Sequence, residues 1–159
     1  MKRRVVAVAG AAAFALAAAG AWAQDISQIP TSGEKVAGAP EKVTRDWGTF
    51  TLNPRIAEKV KSHQKINYVF SYQASGIPLF SQQYMQGFKR GCELGNAIYP
   101  MSCTAIAPVQ TDPNQQISQI EAKLAAGAID CISIEPVTSD STTAVVNKLM
   151  SQGIPVFTV

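Results

Sequence analysis

The sequence predicts an α/β fold: a parallel sheet with helices on both faces, assembled from βαβ units. Three observations carry that expectation. Four short apolar runs have the length of buried strands: Ile66–Ser71, Ser102–Ala107, Cys131–Ile134 and Ile154–Val159. Longer stretches with helical spacing and helix-start chemistry separate them. Strands alternating with helices in this way give right-handed crossovers and a parallel sheet.

Each element has its own local reason. Asn53-Pro54 pairs an N-cap residue with a proline at the first helical position, which opens a short helix to about Ser62. Ile66–Ser71 is the first core strand. Phe80, Tyr84 and Phe88 recur every four residues, so Ser81–Leu94 is expected as a helix, ended by Gly95. Gly87 and Gly91 lie on a neighbouring line and are expected to let that helix approach the sheet closely. After the strand Ser102–Ala107, Asp112-Pro-Asn-Gln115 supplies an N-cap, a proline at the first position and a Gln three residues on. Ile117, Ile120 and Leu124 then share one helix face, and Gly127 closes the helix. Cys131–Ile134 is the third strand. Ser139 or Asp140 is expected to cap a helix carrying Val145, Val146, Leu149 and Met150 inward, which Gly153 ends. The last strand begins beside Pro155, where a missing ladder donor is tolerated.

The first residues are an address. Met1-Lys-Arg-Arg4 is basic, Val5–Gly20 is apolar and uncharged, and Ala21-Trp-Ala23 fits a small-x-small cleavage site. The run is too short and too rich in Ala for a membrane span, which needs roughly 20 strongly apolar residues. Residues 1–23 are therefore expected to be a signal peptide, removed on export to an oxidising compartment, and stable membrane insertion is not expected. Cysteine does not follow the cleavage site, so lipid anchoring is not indicated. The 14 basic residues include three in this segment, and the 11 acidic ones include none, so 11 of each remain. Near-zero charge gives no basic patch for nucleic acid or anionic membrane. Residues 24–64 read as a flexible leader with a short helix, because up to about Thr49 they are rich in Gly, Pro, Ser and charge without an apolar period. Residues 65–159 form the folded domain.

Enzymatic chemistry finds no constellation. The single His63 sits in a junction, and nucleophile-elbow, phosphate-loop and dinucleotide-loop motifs do not occur. Cofactors are not expected. The three cysteines show no zinc spacing. Cys92 closes a helix and Cys103 lies in the next strand, elements expected to pack together, so a Cys92–Cys103 disulfide is a candidate. Cys131 is expected as a buried small hydrophobe.

The ordered set of segments from about Lys65 onward resembles the N-terminal lobe of a type I periplasmic binding protein of the sugar-binding branch. The resemblance runs through Gly91 and Gly95, Asp112-Pro-Asn-Gln-Gln-Ile-Ser-Gln-Ile-Glu121, Gly127-Ala-Ile-Asp130, Ile134-Glu-Pro136 and Gly153-Ile-Pro-Val156. It implies a solute receptor of an ABC importer, a monomer that binds a sugar or polyol in the periplasm and delivers it to a membrane permease. A sensory receptor presenting a sugar to a chemoreceptor or sensor kinase is the alternative. The export signal and the lack of a basic helix-turn-helix before the lobe argue strongly against the related fold in sugar-responsive repressors. Family members have two lobes joined by a hinge, so the chain is read as the N-terminal lobe only, incomplete, from a longer protein or a truncated gene.

The resemblance also nominates site residues. Phe80 stands where the family places an aromatic that stacks on a sugar ring, with core packing as the competing role. Tyr72 and Gln73 lie in the loop after the first strand. Glu135 ends the third strand, where sugar binders often carry Asn. A carboxylate there could accept from vicinal hydroxyls or pair with a cationic group, or it could serve the next helix's N-terminus. Ser139 and Asp112 share the rim, both with capping as the competing role.

Overall fold

The computed structural model describes residues 41–46 and 48–159. The expected signal peptide and the first part of the leader, residues 24–40, lie outside the described residues. The leader reading included no strand, yet two short antiparallel strands form within it: β1 (Lys42–Arg45) and β2 (Gly48–Thr51). Leu52 then enters the core, and the Asn53 backbone N–H donates to the Gly153 carbonyl at 2.9 Å. Alternation of Val43 and Phe50 with polar neighbours was the available signal, and it is only one residue deep on each strand.

Helix α1 (Pro54–Lys61) starts as expected, with the Asn53 side chain accepting from the Arg55 N–H at 3.0 Å. Strand β3 (Ile66–Ser71) follows, then helix α2 (Pro78–Ile98), strand β4 (Met101–Ile106), helix α3 (Pro113–Ala125), strand β5 (Cys131–Ile134), helix α4 (Ser139–Ser151) and strand β6 (Val156–Thr158). The four later strands form one sheet in the order β4-β3-β5-β6, and every pairing in it is parallel.

Side-chain alternation divides the sheet into two faces. Val69, Ile132 and Ile134 meet Ile120, Val145 and Leu149 of α3 and α4 in the main core, and α1 joins it through Ile56 and Ala57. On the other face Tyr68, Phe70 and Tyr72 lie against α2, whose Tyr84 and Phe88 stack on them. Helices therefore cover both faces, but unequally. Helix α2 has no fully buried residue, and Phe157 and Val159 of the β6 end stand 58% and 69% exposed. An open apolar groove of about 670 Å³ runs beside α2, lined by Tyr68, Phe70, Tyr84, Phe88, Gly91 and Val159 among others.

Three expectations need correction. Helix α2 runs three residues past Gly95, because the chain is stopped by Pro100: Tyr99, the residue before it, is forced to extended φ −148°, ψ 139°. Gly87 and Gly91 do not buttress the sheet, since a Cβ at either meets nothing within 4 Å. Gly95 alone lies close, 2.7 Å from the Met101 sulfur for an added Cβ. The cap of α4 is Thr138, not Ser139 or Asp140, which fall in the first turn.

Candidate functional site

Strand order places a candidate site. The chain leaves β3 for β4 on one side, then crosses back to β5 on the other. The two connections part at β3 and β5, which opens a crevice beyond their carboxyl ends. Tyr72 and Gln73 follow β3 there, and Glu135 and Pro136 follow β5.

The crevice floor is held by a residue that sequence reasoning did not single out. Gln116 is fully buried on α3. Its Nε2 donates to Ser71 Oγ at 3.1 Å and to the Glu135 carbonyl at 2.8 Å, and its Oε1 accepts from the Val137 N–H at 3.0 Å. One amide thus ties both strand ends and the loop beyond β5. A Gln in the first turn, facing inward among apolar neighbours, was the signal available. On the other flank, Ser75 and Gly76 donate their N–H groups to the carbonyls of Pro108 and Val109, both at 2.8 Å. A Cβ on Gly76 would collide with the Val109 carbonyl, so this joint requires glycine.

Glu135 is 9% exposed. Its Oε1 accepts from the Tyr84 hydroxyl at 2.7 Å, and its Oε2 is buried without a hydrogen-bond partner. Tyr84 stacks on Tyr72 with centroids 6.0 Å apart and meets Phe80 at 4.5 Å. Its phenol is pushed above its ordinary pKa by the hydrogen bond to Glu135, by burial and by the carboxylate's charge. Burial likewise raises Tyr72. Both therefore keep their protons at neutral pH, and Tyr84 uses its proton to donate to Glu135.

The nominated residues divide cleanly. Tyr72, Phe80 and Glu135 come together through Tyr84, which periodicity had assigned to the helix's core line. Gln73 bridges the two loops, its Nε2 donating to the Pro136 carbonyl at 3.2 Å. Asp112 is exposed and caps α3, its Oδ1 accepting from the N–H groups of Asn114 and Gln115 at 2.9 and 3.1 Å. Ser139 is exposed on the first turn of α4. Neither bonds to the aromatic–carboxylate cluster. The large groove beside α2 ends at Tyr84 and does not include Glu135. Its lining is nearly all apolar, whereas polar groups converge at the strand-end crevice, which makes the crevice the candidate site.

Away from the site, Cys92 and Cys103 are paired as a disulfide, with Cα atoms 6.3 Å apart. Cys131 is free and half-buried, its thiol pushed up to about 11 by burial and by the neighbouring Asp130. Among the described residues no group of acidic, His and Cys side chains could hold a metal ion, and no helix is long and apolar enough to cross a membrane.

An open parallel sheet with aromatic and polar side chains converging at its switch point defines a small-molecule-binding domain. Residues 68–159 match the periplasmic binding protein domain family, and the chain belongs to that family. A search of curated proteins finds no match. Membership assigns the domain a solute-binding role in general terms, in a family of periplasmic binding proteins.

Proposed function

We propose that this chain is a solute receptor of an ABC importer, which binds a sugar or polyol in the periplasm and delivers it to a permease. The observation that supports the reading best is Glu135: a buried acid at the switch point with one oxygen lacking a hydrogen-bond partner and an aromatic cluster around it. Vicinal hydroxyls would donate to the carboxylate, while the faces of Phe80, Tyr72 and Tyr84 would pack against ring C–H groups. Residues 1–23 would direct export, and residues 24–64 would precede the binding domain, their last part folded onto it as β1, β2 and α1. Recognition by a permease would follow closure on the ligand.

Calorimetric titration of the exported chain with a panel of hexoses, pentoses and alditols tests this. Saturable binding that weakens on Phe80→Ala supports it. Binding of no member at millimolar concentration counts against it.

A further inference from the structure

Strand β5 is bracketed by two buried acids in opposite circumstances. Asp130, just before it, is 1% exposed and receives Arg55, Lys59 at 2.7 Å and the Asn67 N–H at 2.7 Å. Glu135, just after it, belongs to no ion pair among the described residues. Its one donor is a neutral phenol, and Oε2 has none. Buried acids are almost always paired, since the desolvated charge needs a counter-charge. The fold supplies one at Asp130 and withholds it at Glu135.

The surroundings match that vacancy in charge. Phe70, Tyr72 and Tyr84 are stacked nearly parallel, with interplanar angles of 6–17°, and Phe80 leans on Tyr84. Aromatic faces attract cations, and with a carboxylate they make a site for an ammonium group. A neutral polyol would be served as well by a side-chain amide, without a buried charge.

We propose that the solute carries a protonated amine, as an amino sugar or amino alditol does, and that Glu135 is its counter-ion. This rests on the reading of the strand-end crevice as the solute site. Oε2 is covered in this structure, so the ammonium enters as the half-exposed Tyr84 ring turns off the carboxylate and its hydroxyl is exchanged for a charged donor.

The test is calorimetric titration of the exported chain with matched pairs: D-glucosamine and D-glucose, D-galactosamine and D-galactose, glucamine and sorbitol. In at least one pair the amine should bind roughly tenfold tighter than its hydroxyl twin. Glu135→Gln should erase that difference and, without ligand, melt no lower than the parent. Neutral twins that bind as tightly as the amines overturn the proposal and leave the sugar-receptor reading standing. So does a preference that survives Glu135→Gln. A Glu135→Gln chain that fails to fold makes the carboxylate structural and overturns it too. Silence from every member of every pair overturns the proposal; silence from the wider panel of hexoses, pentoses and alditols overturns the sugar-receptor reading as well.

Discussion

The Tyr84 hydroxyl donates to Glu135 Oε1 at 2.7 Å, joining the first turns of α2 to the end of β5 across 51 residues of sequence. This bond is the one direct polar link between the helix and the crevice acid. Tyr84→Phe keeps the ring and its stacking but leaves a second carboxylate oxygen unpartnered. It should lower stability by about 1–3 kcal/mol. In a Glu135→Gln background the same change should cost less, about 0.5–1.5 kcal/mol, because no charge is stranded. Urea unfolding of the four proteins of the cycle measures the coupling. Equal costs in both backgrounds would show that the bond carries nothing beyond a neutral contact.

Asp130 gives a pH dependence with a definite sign. Burial is the largest influence on its carboxyl and pushes the pKa up. The Lys59 hydrogen bond, the Asn67 N–H and the Arg55 charge and hydrogen bond together outweigh it and hold the pKa below the ordinary 3.8. A depressed carboxyl contributes stability above its unfolded pKa, and that contribution fades as pH falls through the folded one. Stability should therefore drop below about pH 4 with a share that Asp130→Asn removes. At pH 7, Lys59→Met should destabilise by about 1–3 kcal/mol, since Arg55, which is 43% exposed, still answers the buried carboxylate. Guanidinium or urea melts at pH 3 and pH 7 check both statements. A pH profile unchanged by Asp130→Asn would remove the linkage.

Much of this was legible in the residues because local and tertiary signals agree. Asn53-Pro54 and Asp112-Pro113 each pair a cap with a proline, and both helices begin there. β3 and β5 occupy the predicted residues because their apolar runs are short and bounded by turn chemistry. Agreement failed where a distant contact decides. Gly95 reads as a helix end, but the stop is Pro100, and the Asn96 side chain, accepting from the Met101 N–H at 2.8 Å, shapes the exit. The β1–β2 pair was hidden by its composition and is held down by a backbone contact to Gly153, a hundred residues away. Within the site, strand-end position pointed to Glu135 and Tyr72. The roles of Tyr84 and Gln116 could not be read, because each looks like an ordinary helix residue until the sheet brings the strand ends to it.

The disulfide gives a labelling prediction. Cys92 and Cys103 close a loop with a sequence separation of 11. Alkylation of the exported, denatured chain without reductant should modify Cys131 alone, and reduction should add two further labels. In the folded chain Cys131 should label slowly, since its thiol is pushed up to about 11 and half-buried. Replacing both bridge cysteines with Ser should cost about 2–3 kcal/mol by thermal melting. Three labels without reductant would show the bridge unformed.

The glycines separate backbone from side-chain demands. Gly87 and Gly91 are mid-helix, and an added Cβ would meet open space at both. Alanine at either should raise stability by about 0.5–1 kcal/mol, because the unfolded chain loses freedom and the folded one meets no clash. Gly153 is the opposite case. Its φ is +72°, and a Cβ would lie 2.5 Å from the Asn53 nitrogen and 2.6 Å from the Thr51 carbonyl. Gly153→Ala should destabilise by more than about 1 kcal/mol and free the β2–α1 junction from the end of α4. Hydrogen exchange reports that release directly. The Asn53 amide, which donates to the Gly153 carbonyl, should lose protection in the variant, while the Val69 and Ile132 amides of the central strands keep theirs. If Gly87→Ala and Gly91→Ala instead lower stability, something covers that face of α2 in solution and the groove beside it is not open.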